Sequence, residues 1–309
     1  MKDLLPTSQS VSIKKKPWRH RYTHWLLVAP ALIYLLLFMG YPLFRGLQLS
    51  LTETNTLNPN ISTYLGTKNY QQIFHSSGFF NSLMVTLKYS VGSVVGALLL
   101  GMSAALIMNR PVRGKVFFRA MVTLPWAAPP IAVALVFTWM FNPQYGIVNS
   151  ALSSVGLGGK ETQWLDNPHR ALITLIVITI WMTFPLTSLI LLAALQTVPK
   201  ELFEAARIDG ASARKVFRYV TLPLMRPTIY VMTLLLSIWA LRRFDLIWVL
   251  TQGGPVDSTS TLVVRLYRES FAFGNLGKGA AIGTVGFVIS VLCTVLYLIA
   301  NNRVEKSQS

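Results

Sequence analysis

Six long apolar runs alternate with polar segments along the chain, and that alternation predicts the architecture. The runs cover 24–44, 81–109, 116–141, 170–195, 227–250 and 277–301. Each exceeds the roughly 18 residues at which an apolar stretch reads as a membrane-spanning helix. In lipid a spanning segment must satisfy its own backbone hydrogen bonds, so the runs are expected as helices. The expected fold is all-α and integral to a membrane, with six transmembrane helices. Segments 45–80, 142–169 and 251–276 then form loops on one side, and 110–115 and the longer 196–226 form loops on the other. No internal repeat is visible.

Some runs carry interruptions. The third contains Leu124-Pro125-Trp126-Ala127-Ala128-Pro129-Pro130, and the fourth contains Phe184-Pro185. Proline removes a backbone donor and clashes with the preceding turn. Each site predicts either a simple kink or a break that lines a cavity, which lipid tolerates only where protein or water surrounds it. The last run is rich in glycine, and Gly279 with Gly283 forms a GxxxG face suited to close packing against another helix or subunit.

Composition agrees. Apolar residues make up 52% of the chain and charged residues only 13%, against about 25% charged in a soluble domain. The net charge is +17, which by itself would suggest nucleic acid, but its placement excludes that reading. Eighteen of the 28 Lys and Arg fall in 1–24, 110–119, 197–226 and 301–309, alternate segments on one side. This is the positive-inside bias of a membrane protein. It places both termini in the cytoplasm, with 1–23 and 303–309 as cytoplasmic tails around a membrane domain at 24–302. The first run ends Gly40-Tyr41-Pro42-Leu43-Phe44 and is longer than the h-region of a cleaved signal, so it is read as an uncleaved span. The lone Cys293 lies in an apolar run and is expected to be a small packing residue.

Segment 196–226 is polar and basic between very apolar neighbours. Pro199 suits the first turn of a helix over Lys200–Ile208, and Glu201 and Glu204 sit early, near its positive end. Leu202, Ala205, Ala206 and Ile208 are expected to form its apolar face, leaving Glu204 and Arg207 outward. Asp209-Gly210 is a stop signal, because glycine reaches the left-handed conformation that caps a helix. A second short helix is expected over Ala211–Tyr219, carrying Arg214, Lys215 and Arg218. Two short helices meeting at a glycine corner make a knob suited to a groove on a partner. Composition alone allows an alternative, a basic amphipathic helix lying on anionic lipid.

Within this segment Glu204-Ala205-Ala206, Asp209-Gly210-Ala211, Phe217, Thr221-Leu222-Pro223 and Pro227 resemble the cytoplasmic loop of permease subunits in binding-protein-dependent ABC sugar importers. The resemblance continues through Asn69-Tyr70, Asn142-Pro143, Gly146-Ile147-Val148-Asn149, Phe244-Asp245, Leu250-Thr251-Gln252-Gly253-Gly254-Pro255, Ala272-Phe273 and Leu276-Gly277-Lys278-Gly279-Ala280-Ala281, and covers roughly 24–302. It is nearest to the maltose and glycerol-phosphate group, without the extra N-terminal spans and large outer domain of the maltose protein. The resemblance implies the type I ABC importer permease fold, with 196–226 as a pair of cytoplasmic coupling helices. Its implied docking residues are Glu204, Ala205, Ala206, Arg207, Asp209, Gly210, Ala211 and Arg214. The implied partners are a second homologous permease, a dimer of ATPase subunits whose closure drives the channel, an extracytoplasmic sugar-binding protein and the lipid bilayer. ATP and Mg would then sit on the ATPase subunits, with no cofactor in this chain. The implied location is the bacterial or archaeal cytoplasmic (inner) membrane.

The chain is not expected to hydrolyse ATP. Gly156-Leu157-Gly158-Gly159-Lys160 matches a phosphate-binding loop only superficially, since Ser154 stands at the first glycine position and Glu161 follows the lysine.

Away from the span ends, where Arg119, Arg170 and Lys278 lie, four charges fall within the predicted spans: Lys88, Arg242, Arg243 and Asp245. Each costs about 2.5–3.5 kcal/mol at the centre of a membrane helix and so demands a partner or a wet path. Lys88 is close enough to the outer end to snorkel. On a continuous helix Trp239, Arg242, Asp245 and Trp248 form one stripe, with Arg243 about 100° away. That stripe reads either as an Arg242–Asp245 packing salt bridge or as a sugar path, with Arg243 facing the partner permease or an acidic substrate group. A secondary transporter is the alternative function, but it needs coupling carboxylates inside the spans, and only Asp245 qualifies. A membrane enzyme needs a catalytic constellation, which His20, His24, His75 and His169 do not provide.

Overall fold

The computed structural model describes residues 19–110, 114–157 and 161–306. Positions 1–18 and 307–309 of the expected tails, and Gly158, Gly159 and Lys160 of the glycine-rich loop, lie outside the described residues. Two compact units divide the chain, residues 1–48 and 49–309.

The first unit holds α1 (Arg19–Leu35), a π-helical turn (Leu36–Gly40) and most of α2 (Tyr41–Ser50). Helix α1 starts inside the expected tail, and the first apolar span runs Leu27–Ser50 rather than 24–44. The most apolar 18-residue window of that span has no buried residue, and the buried Ser50 lies at its end.

In the second unit a hairpin of β1 (Thr52–Asn55) and β2 (Asn58–Tyr64) leads to α3 (Lys68–Phe74) and α4 (Ser77–Met108). The third span is two helices, α5 (Lys115–Ala127) and α6 (Pro130–Met140), which meet at 94°. This is the break and not the kink. Ala128 and Pro129 are both extended, as the residue before a proline prefers. A short α7 (Ile147–Ser154) follows, then α8 (Pro168–Gln196), which runs unbroken through Pro185. Around that proline Thr183, Thr187 and Ser188 hydroxyls donate to the Thr179, Thr183 and Pro185 carbonyls. Then come α9 (Lys200–Ile208), α10 (Ala213–Val216), a second π-helical turn (Phe217–Thr221), α11 (Leu222–Leu241) and α12 (Asp245–Thr251). Helix α13 (Leu262–Tyr267) passes through a third π-helical turn (Arg268–Ala272) towards α14 (Leu276–Lys306).

Helices α4 and α8 are the centre of the second unit. Three glycines on α4 face α8. A Cβ on Gly96 would sit 2.1 Å from Ile180 Cδ1, and one on Gly101 would sit 2.9 Å from Thr187 Cβ and 3.2 Å from the Ser188 backbone nitrogen. Gly92 meets Ile176 in the same way, at 3.0 Å. Small residues of this kind let backbones approach where lipid offers no hydrophobic drive for association. Tyr89, Leu175, Ile178, Leu246, Ile247 and Val264 fill the main core between these helices and the segment after the fifth span.

The sequence reading left the outer segments as loops, but they are built. The Asn69 side-chain amide donates to the Ser50 and Thr52 carbonyls at 2.9 and 2.8 Å, and the Thr56 N–H donates to Gly274 O at 2.8 Å. These bonds fasten the hairpin to α3 and to the start of α14. Buried Glu269 takes Arg265 and Lys278 at 3.5 Å each, pinning the turn after α13 to α14. Gly279 and Gly283 do pack closely, against Ser270 and Leu266 of this same chain. Cys293 is exposed on α14 and not packed, contrary to the expectation. Lys88 is exposed on α4, consistent with snorkelling.

Replacing Gly101 with Val is expected to cost about 1–3 kcal/mol, since the clash is with backbone and a β-branched neighbour that cannot retreat. Gly286→Ala, with nothing within 4 Å of its Cβ, is expected to be neutral. Thermal unfolding of the detergent-solubilised variants checks both, and equal midpoints would contradict the glycine-packing account.

Candidate functional site: a coupling surface and a polar cluster in the fifth span

Helix α9 begins where Pro199, extended at ψ 133°, turns the chain away from α8. It ends in a complete Schellman motif. The Ala211 N–H donates to Ala206 O at 2.9 Å, the Gly210 N–H donates to Arg207 O at 3.0 Å, and Gly210 holds φ +72°. Left-handed backbone at this position is what glycine permits and other residues resist. A Cβ there would meet nothing within 4 Å, so the corner is open on its outer side.

The face that α9 turns inward differs from the one expected. Phe203 packs on the cluster of Met108, Leu191, Leu195 and Met225, and Ala206 is half-buried beside it. Leu202 is 43% exposed and Ile208 is 86% exposed. The direction in which Pro199 launches the helix sets this rotation, and apolar spacing alone did not determine it. Glu204, Ala205, Arg207, Asp209, Gly210 and Arg214 are exposed, and Ala211 is half-buried. Almost every residue expected to dock therefore points outward, and two apolar side chains point out with them.

The second short helix is corrected as well. Residues Ala213–Leu241 form one continuous helix of 29 residues, so α10 is the N-terminal end of the fifth span. Pro223 has no N–H to return to Tyr219, and the hydrogen-bond ladder re-registers through the π turn at Phe217–Thr221 instead of ending.

The expected stripe on the fifth span does not form. The helix stops at Leu241 and restarts at Asp245, with Arg242, Arg243 and Phe244 in the gap. No Arg242–Asp245 salt bridge is made among the described residues. Two adjacent cations in a membrane cannot share one face cheaply, and the break sends them apart. Arg242 is exposed in an apolar groove of about 580 Å³ between α11, α13 and α14. Arg243 turns inward and lines a small gap with Trp239, Ser93, Thr179 and Thr183. There the Tyr89 and Thr179 hydroxyls lie 2.7 Å apart and are buried. The Arg243 Nε and the Ser90 and Ser93 hydroxyls are buried without a hydrogen-bond partner. Trp248 lies elsewhere, stacked on Phe244 at 5.5 Å and edge-on to Tyr267 at 4.6 Å near the outer surface.

The sequence reading missed the α4 and α8 side of this cluster. Its signal was the polar spacing of Tyr89, Ser90 and Ser93, and of Thr179 and Thr183, inside otherwise apolar runs.

Comparison with known proteins places this geometry. The family described as "Binding-protein-dependent transport system inner membrane component" matches residues 97–307. The trehalose/maltose transport system permease protein MalF of Thermococcus litoralis is 36% identical over 284 residues, covering 92% of this chain and 95% of that protein. The sulfoquinovosyl glycerol transport system permease protein SmoG of Agrobacterium fabrum is 34% identical over 288 residues, covering 90% and 93%. Among solved structures, a bacterial ABC transporter involved in import of the acidic polysaccharide alginate superposes with a TM-score of 0.79 at 25% identity, over 93% of this chain and 98% of that one.

Because Arg243 is packed among buried hydroxyls and Arg242 is not, Arg243→Ala is expected to lose about 1–3 kcal/mol while Arg242→Ala loses under about 0.5 kcal/mol. Thermal unfolding of the two variants side by side is the check, and the reverse order would refute this placement.

Proposed function

The chain belongs to the inner-membrane components of binding-protein-dependent transport systems, and from that premise we propose how it is driven and what it carries. It is a multi-pass permease subunit of an ABC importer. We assign α9 and the Gly210 corner as the surface that docks on a separate ATPase subunit, which would hold ATP and Mg. The observation that carries this is the outward presentation of Glu204, Ala205, Arg207, Asp209 and Gly210 on a helix anchored from behind by Phe203. A helix held on one side and open on the other transmits force without melting.

The cargo we propose is a carbohydrate, on the strength of relatives named for trehalose/maltose and sulfoquinovosyl glycerol transport. A solved transporter of this fold has been captured with an alginate pentasaccharide-bound periplasmic protein. By the same reading a sugar-loaded binding protein meets the hairpin side of this chain, and a second, homologous permease completes the path. The basic segments and α9 then face the cytoplasm. Of the residues expected along the path, Arg243, Trp239 and Asp245 stay near the polar cluster and are retained in it. Arg242 is reassigned to the outer groove, and Trp248 to the outer mouth.

Gly210→Asp tests the coupling role. The variant is expected to insert and assemble but to lose sugar uptake and substrate-stimulated ATP hydrolysis, because a charged residue strained into left-handed backbone deforms the corner. Normal uptake in reconstituted vesicles would remove α9 from the drive mechanism.

A further inference from the structure

On the membrane side opposite Gly210, the end of α12 opens on a cavity of about 650 Å³. That volume lies within the roughly 300–1,000 Å³ of small-molecule sites. Two aromatic rings, Trp248 and Phe273, stand in its wall with Thr251, Gln252, Asp257 and Arg268. Trp248 is held by its stack on Phe244 and its edge contact with Tyr267. Phe273 is 58% exposed, and the Arg268 guanidinium lies over its ring at 5.8 Å. Arg268 also pairs with the Asp257 carboxylate.

The backbone around this cavity is fixed in an unusual form. Gln252, Val256 and Asp257 all hold left-handed φ, at +53°, +50° and +56°. A β-branched residue there is an outlier, and strain of this kind gathers at binding sites where the surroundings enforce it. The enforcement is visible: the Asn81 side-chain amide donates to Asp257 O at 3.0 Å, and the Thr259 hydroxyl donates to Gly254 O at 2.7 Å. Val256 is left 90% exposed at the rim.

We propose that this cavity is an outer saccharide subsite, which receives one neutral pyranose unit before it enters the membrane. This deepens the carbohydrate-import reading and rests on it. Aromatic faces cover the apolar C–H side of a sugar ring, while the carboxylate, guanidinium and amide at the rim bond its hydroxyls. The charge of Arg268 is already balanced by Asp257, so among the described residues lining it the site offers paired donors and acceptors and no free cation for an acid group. That pairing selects a neutral ring over a uronate.

The test uses the complete transporter in lipid nanodiscs without binding protein, probed by saturation-transfer-difference NMR with maltose, trehalose and an alginate pentasaccharide. Saturation transfer to maltose or trehalose, reduced at least fivefold in both Trp248→Ala and Asp257→Asn, is the expected result. Trp248→Phe, which keeps an aromatic face, is expected to retain most of the signal and so separates loss of stacking from loss of folding. No transfer to any of the three sugars overturns the proposal, as does a disaccharide signal unchanged in both variants. Transfer to the acidic pentasaccharide alone overturns the neutral-ring assignment. Gly210→Asp in the same assay keeps the signal if the subsite exists, whatever its effect on uptake. Loss of the coupling reading and loss of the subsite are therefore read independently.

Discussion

The close approach of α4 and α8 is the contact on which the other helices depend. Lipid is as apolar as a leucine side chain, so helices gain little by merely hiding from it, and shape must hold them together. Gly92, Gly96 and Gly101 remove the side chains that would keep the two backbones apart. With the axes this close, Tyr89 and Thr179 come face to face and bond at 2.7 Å. Helices α5 and α11 pack on the pair, and the segment after the fifth span closes its outer end. At the other end Leu191, Leu195, Met108 and Met225 form the seat for Phe203. Helix α9 is thus seated through Phe203 on residues of the central helix pair, the mounting that the proposed coupling role would need.

Two interrupted spans give this unit its polar features. Helices α5 and α6 meet at 94°, and the fifth span is open between Leu241 and Asp245. Irregular backbone is stable at membrane depth only where protein or a cavity surrounds it. Here α12 packs against α6, so one broken span covers the other. The second break also separates two neighbouring arginines, turning one into the core and the other towards the lipid-facing groove. A continuous helix would have held both charges on adjacent faces, with a single carboxylate to offset them.

The outward surfaces carry complementary information. Leu202 and Ile208 beside Glu204 and Arg207, and the exposed apolar side chains of the first span such as Leu27, Leu36 and Phe38, are apolar groups left uncovered within the described residues. Contiguous apolar exposure bordered by charge marks a site of association. Under the proposed function, partner subunits and the bilayer are what would cover them.

The sequence by itself determined the membrane class, the six spans, the helix at Lys200–Ile208 and the Gly210 corner, because these follow from local properties. Apolar length, proline and glycine conformational limits, and the side on which lysine and arginine cluster are all readable one segment at a time. Only the tertiary structure decided which way each helix turns. Phe203 faces inward and Ile208 outward because Pro199 aims α9, and the same apolar spacing permits either rotation. The stripe from Trp239 to Trp248 assumed an unbroken helix, but the helix breaks at Arg242–Phe244, with Arg243 turned inward and Arg242 left exposed. Tyr89, Thr179 and Arg243 are distant in sequence, and their meeting depends on how closely two glycine-faced helices approach. Such long-range contacts are set by the mutual fit of whole helices, which no local pattern encodes.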